Sequence, residues 1–154
     1  MPSYLHRDES YMRLALEQAQ IAAQLGEIPV GAVVVKDDQV IGRGYNRREV
    51  DSSAIAHAEV LAIEEACKAL GTWRLTDCDL YVTLEPCPMC AGAIINARIR
   101  RVVYGVKDEK AGCCGSVADF FVMPFNHNPL CRSGILAQEC RALLTNFFAQ
   151  LRKD

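Results

Sequence analysis

The chain has 154 residues, 51% of them hydrophobic and 23% charged, and its 17 Lys and Arg stand against 19 Asp and Glu for a formal charge of −2. That balance excludes a disordered chain and a generically basic nucleic-acid binder, and the length suits one domain, residues 1–154, burying about two thirds of the surface it would expose unfolded. Eight cysteines in a chain of this size, whose opening residues do not read as a secretory signal, are expected to be metal ligands or small buried apolar groups rather than a disulfide framework.

The opening "MPSYLHRDES" lacks the apolar run of a signal peptide, and "IPVGAVVV" is too short to span a bilayer, so a cytoplasmic protein without a membrane segment is expected. Asp8 or Ser10 is expected to cap a first helix, in which Met12, Leu14, Ala15, Ala19, Ala22 and Ala23 recur at roughly helical spacing until Gly26 ends it. "VGAVVVK" and "VIGRGYN", joined by the polar turn "DDQ", read as a β-hairpin. Beyond the loop "RREVDSS", His57, Val60, Ile63, Cys67 and Leu70 fall near one stripe of a second helix, which puts His57 on its buried side, and Gly71 stops it. "DLYVTL" at 79–84 then reads as a strand, "PMCAGAIINA" as a short helix and "RRVVYGV" as another strand, with a last helix from about Gly134 to Leu151. Strands alternating with helices after a hairpin predict an α/β fold, a three-layer α/β/α sandwich around one mixed sheet, although the strand order is not legible. "RIRR" at 98–101 and the tail "FFAQLRKD" are candidate anion-binding patches or plain solvated faces.

Two short stretches carry the chemistry. "AIAHAEVLAIEEA" places His57 and Glu59 at a helix start, and "EPCPMCAGAI" places Cys87 and Cys90 three apart at another. Singly these are ordinary, since a lone histidine on an apolar stripe is more often a hydrogen-bonded core residue. Together, His57, Cys87 and Cys90 give zinc three protein ligands, the number that leaves a fourth position open for water. Pro88 suits the first helical position, so Cys87 would cap the helix and Cys90 would lie one turn in, where helix-end charge favours thiolate. Residues two apart do not face each other on a helix, so Glu59 is expected to reach the water rather than the metal. The rival is a nonenzymatic interaction module with a closed site of Cys87, Cys90, Cys113 and Cys114; adjacent cysteines fit it poorly, and it leaves His57 and Glu59 without a role.

His57-Ala58-Glu59 followed by Pro86-Cys87-Pro88-Met89-Cys90 is the pattern of the zinc nucleobase deaminases. Among them the chain resembles the bacterial tRNA-specific adenosine deaminases over nearly its whole length, through "GEIPVGAVVV", "GYNRRE", "AHAEVLAI", "TLEPCPMCAGAI", "ARIRRVVYG", "DEKAG", "FNH" and "GILAQECRALLTNFF". The resemblance implies a cytidine-deaminase-like fold, one Zn²⁺ per chain, and hydrolysis of adenosine to inosine at the tRNA wobble position with Glu59 shuttling protons. It implies a homodimer that acts on the anticodon stem-loop of an arginine tRNA. By the same resemblance Asn46 hydrogen-bonds a flipped nucleoside, the Ala58 N–H meets the base, and Ile28 and Val30 wall the pocket, where plain core packing is the blander reading. Asp108 and Lys110 match positions beside the target nucleotide, and Asn126 and Phe148 match positions near flanking nucleotides. "SSAIA" before His57 and the Cys113-Cys114 pair depart from the family pattern. Cys67, Cys78, Cys113, Cys114, Cys131 and Cys140 read as small apolar groups. A deaminase of free guanine or cytosine would use the same metal core and is the nearest alternative.

Overall fold

A computed structural model describes residues 2–153, with side chains from residue 5 onward. Strands rich in β-branched residues, β1 (Gly31–Lys36), β2 (Gln39–Tyr45), β3 (Asp79–Leu84) and β4 (Arg101–Val106), and a short β5 (Leu130–Arg132) form a five-stranded sheet in the order β2-β1-β3-β4-β5. β1 is antiparallel to β2 and β3, whereas β3, β4 and β5 run parallel, so the sheet is mixed as expected. The β1–β2 turn rests on Asp37 and Asp38, both at positive φ (51° and 61°), the turn whose twist matches that of the flanking strands.

Strand alternation sorts the side chains into two cores. Ala32, Val34, Leu80, Val82, Val102 and Tyr104 face the layer of α2 (Ala58–Leu70) and α3 (Pro88–Asn96). Val33, Val35, Tyr81 and Val103 face the layer of α1 (Pro2–Gln24) and α4 (Ala137–Lys153). The result is the three-layer α/β/α arrangement, because each helix buries one stripe on one sheet face. Among the described residues no helix is long and apolar enough to cross a membrane.

Several expectations need correction. α1 is already under way at Pro2, and Asp8 does not cap it: the side chain is fully buried, bonded to Arg101, to Arg132 (3.1 Å) and to the Tyr81 hydroxyl (2.7 Å). An acidic residue ahead of an apolar run looks like a cap in sequence, but these partners come from β3, β4 and β5. "RIRR" is neither an anion patch nor a simple solvated face, since Arg98 donates to the Ile95 carbonyl at the end of α3 while Arg100 and Arg101 pair with Asp79 and Asp8. The buried stripe of α2 is Ala58, Glu59, Ala62, Ile63 and Ala66, rotated from the predicted one. Gly42 and Gly44 of β2 explain the rotation, because a Cβ at either would lie 2.2 Å from a carbonyl oxygen of α2, so only alanines fit against that strand. β5 and a short 3-10 turn at Phe120–Val122 went unpredicted, and β5 is three exposed residues with no alternation to read. α4 starts at Ala137 because Gly134 and Leu136 both turn at positive φ just before it.

The Asp8 cluster fixes an acid limit to stability. Burial pushes its carboxyl up, but bonds from Arg101 and Tyr81 and the charges of Arg101 and Arg132 outweigh burial and hold it below the usual value. A depressed folded-state pKa stabilises above the unfolded value and loses that contribution as pH falls through the folded one. Asp8→Asn should therefore cost about 3 kcal/mol at neutral pH, as expected when one partner of a buried ion pair is removed. Urea denaturation at stepped pH should show the gap to wild type narrowing in acid, and a gap independent of pH would contradict this assignment.

Candidate active site

α2 and α3 both begin on a residue in extended conformation, His57 (φ −82°, ψ 153°) and Cys87 (φ −76°, ψ 176°), and neither side chain caps its own helix. Pro88 occupies the first turn of α3, as its missing N–H allows. The imidazole and the thiol are therefore free to meet elsewhere, and Cys90, fully buried one turn in, joins them. His57 Nδ1 lies 3.6 Å from Cys87 Sγ and 3.5 Å from Cys90 Sγ, and the three donor atoms are all within 4.8 Å of one another. Zinc bonds of about 2.3 Å to sulfur and about 2.0 Å to nitrogen, set at tetrahedral angles, require N···S separations of about 3.6 Å. The donor set thus fits zinc in both chemistry and spacing.

The three groups also adjust one another's protonation. A hydrogen bond from Cys90 outweighs burial and, with help from His57, lowers the Cys87 thiol to about 4. Cys90, donating that bond from a buried position, is pushed up, and His57 is raised by its bond to Cys87. The cluster already favours a thiolate against a protonated partner, the charge pattern that a divalent cation would take over on displacing the protons.

Glu59 follows Ala58 in the first turn of α2, is only 4% exposed, and is pushed up to about 7, chiefly by burial. It is not one of the three clustered donors, but it lines the same cavity as His57 and Cys87.

The cavity measures ≈ 220 Å³. Ile28, Val30 and Leu84 make its apolar wall, and Asn46, Ala58 and Asp108 add polar groups. Asn46 is held from both ends: its Nδ2 donates to the Ile28 carbonyl and its Oδ1 accepts the Arg48 N–H, each at 3.1 Å. Asp108 Oδ1 accepts the N–H groups of Lys110 (3.0 Å) and Ala111 (3.2 Å), which shapes the turn it stands on. Ile28, Val30, Asn46, Ala58 and Asp108 are thus brought together around the donors, whereas Lys110, Asn126 and Phe148 lie outside the cavity lining. Lys110 and Asn126 are exposed, and Phe148 stands on α4, 38% exposed and edge-on to Phe147 at 5.5 Å.

The MafB19-like deaminase family model matches residues 6–152. The tRNA-specific adenosine deaminase of Bacillus subtilis is 50% identical over 148 residues, covering 96% of this chain and 92% of that protein. A solved structure from studies of A-to-I editing by tRNA:A34 deaminases at the wobble position of transfer RNA aligns with a TM-score of 0.85 at 47% identity, over 88% of this chain and 99% of the other. The chain belongs to the bacterial tRNA-specific adenosine deaminases.

The fold alone would not have separated this family from its neighbours. A guanine deaminase from Nitrosomonas europaea aligns with a TM-score of 0.77 over 92% of this chain and 84% of its own, but at 28% identity. Cys113 and Cys114 are both buried, neither belongs to the donor cluster, and Cys113 Sγ bonds the Ala111 carbonyl at 3.6 Å. All eight cysteines are free thiols.

Two buried glutamates escaped the sequence reading. Glu27, 2% exposed, accepts the N–H groups of Glu49 (3.2 Å) and Val50 (2.7 Å), and Glu85, also 2% exposed, accepts those of Asp108, Cys114 and Ser116. Burial pushes Glu85 up, but its bonds to Ser116 and to these N–H groups outweigh burial and hold it below the usual carboxylate value. The available signal was a single acidic residue set among apolar ones and prolines, in "GEIPVG" and "TLEPC", where a surface role is out of place.

Proposed function

We infer that the protein hydrolytically deaminates adenosine to inosine at the wobble position of a tRNA. The observation that carries this is the cluster of His57, Cys87 and Cys90, with N···S distances of 3.5–3.6 Å, opening on a cavity with room for one nucleobase and lined by buried Glu59. Zinc held by those three residues, one ion per chain, would supply the Lewis acid that makes a nucleophilic water available at neutral pH.

Glu59 takes a proton from the attacking water and gives it to the ring nitrogen as oxygen adds to C6 of adenine. It then passes the second proton to the exocyclic amine, which leaves as ammonia while the C6 carbonyl of inosine forms. The Ala58 N–H, at the start of α2, has no partner within the helix and is available to the base. Asn46, fixed from both sides, retains hydrogen-bonding capacity for the nucleoside, and Ile28 and Val30 pack on the flipped base. An unpaired anticodon loop makes flipping inexpensive, because the base leaves no duplex. Asp108 in the cavity wall and Lys110 beside it suit the strand next to the target, while Asn126 and Phe148 serve flanking nucleotides farther out. An arginine tRNA, met in the cytoplasm by a homodimer, is the substrate that the family resemblance favours.

Salt dependence separates RNA editing from small-molecule deamination. Affinity for an anticodon stem-loop should fall steeply with salt, and Arg152→Ala with Lys153→Ala, in the last turn of α4, should flatten the logarithmic slope by about 0.7 for each phosphate that these side chains neutralise. Phe148→Ala should weaken binding by about 1 kcal/mol, the low end for one stacked base because this ring is also packed on Phe147. If these substitutions change neither affinity nor slope while free guanine is turned over, the protein is a free-base deaminase.

A further inference from the structure

Glu85 follows directly on β3 and precedes the Pro86-Cys87 step, and the proton transfers above do not use it. Its Oε1 accepts the Asp108 N–H (3.0 Å) and the Ser116 hydroxyl, and its Oε2 accepts the N–H groups of Cys114 (2.9 Å) and Ser116 (3.1 Å). The segment 108–116 therefore folds around one carboxylate. The Pro86 carbonyl adds a bond from the Cys113 N–H at 2.9 Å. A Cβ at Gly112 would lie 2.3 Å from the Glu85 carboxyl carbon, so only glycine lets the segment close this far.

No Lys or Arg pairs with Glu85 among the described residues, and its four acceptor bonds all go to this one segment. A buried carboxylate is a costly means of attaching a loop, for which apolar contacts would serve. What it adds is one defined conformation, since every other arrangement of 108–116 leaves a buried charge without donors. That conformation sets where Asp108 and Ala111 stand in the cavity wall and where Lys110 projects beside them.

We propose that Glu85 is a positioning residue that presets the 108–116 segment, so that the RNA strand beside the target adenosine meets Asp108 and Lys110 already ordered. The proposal rests on the RNA-editing reading. Its physical content is that ordering is completed on folding rather than charged against binding, so its loss raises the substrate concentration needed and leaves the chemical step largely intact.

Single-turnover deamination of an anticodon stem-loop by zinc-loaded wild type, Glu85→Gln and Ser116→Ala tests it, with amide hydrogen exchange of 108–116 followed on the same proteins. Gln keeps the size but turns an N–H₂ toward backbone donors, so the half-saturating RNA concentration should rise about tenfold while the maximal rate changes less than about threefold. Ser116→Ala, which removes one hydroxyl donor and carries the test if Glu85→Gln fails to fold, should shift the same concentration about threefold. Exchange in 108–116 should quicken in both variants while β3 stays protected. No inosine from wild type overturns the functional reading and the proposal together. Inosine from wild type, with variants that lose maximal rate at unchanged half-saturation or leave exchange in 108–116 unchanged, overturns the proposal alone.

Discussion

Glu59→Ala should yield a folded protein that binds zinc and RNA but has lost turnover by about 10²–10⁴-fold, the usual contribution of a positioned general acid–base. The carboxyl is 4% exposed, stands outside the donor cluster, and lines the cavity that His57 and Cys87 also line. In the proposed mechanism its removal takes away the group that moves both protons and leaves all three donors in place. Single-turnover rates on an anticodon stem-loop, with metal content and RNA affinity measured on the same sample, check the three parts separately. Turnover within a few-fold of wild type would assign proton transfer to another group, and loss of zinc would make Glu59 a ligand.

Replacement of His57, Cys87 or Cys90 by alanine should abolish stoichiometric zinc, because two donors remain where three are the minimal catalytic set. All activity should go with it. Cys113→Ala with Cys114→Ala should keep one zinc per chain, since those thiols lie outside the cluster and Cys113 is engaged with the Ala111 carbonyl. Elemental analysis after dialysis against a weak chelator reads this directly. Wild type should also show a higher melting temperature with zinc than after its removal, as any ion bound only by the folded state stabilises that state. Zinc retained in His57→Ala but absent from the Cys113, Cys114 double variant would mean a closed structural site.

The cluster of His57, Cys87 and Cys90 could be read in the sequence because each donor stands at a helix start that neighbouring residues fix. Pro88 after Cys87 fixes a helix start, Cys90 falls one turn on, and His57 opens α2 in the same layer. Strand and helix patterns gave β1 to β4 and the central helices nearly to the residue, since the near-continuous apolar runs in "VGAVVVK" and "DLYVTL" follow from burial on both sheet faces. What escaped depends on partners distant in the chain. Asp8 looked like a cap until Arg101 and Arg132 were brought to it, and the stripe of α2 was set by Gly42 and Gly44 on a strand that precedes the helix. Glu27 and Glu85 act through backbone N–H groups more than twenty residues away, and no side-chain pattern announces a backbone donor. β5 is three exposed residues at a sheet edge, below the length at which any period can register.

The substrate is decided by offering the purified zinc-loaded protein four compounds side by side: an arginine tRNA with adenosine at the wobble position, free adenosine, guanine and cytosine. Nucleoside analysis of the recovered tRNA should show inosine at that single position, with the free compounds unchanged over the same time. Efficient release of ammonia from guanine or cytosine, with the tRNA adenosine intact, would contradict the account.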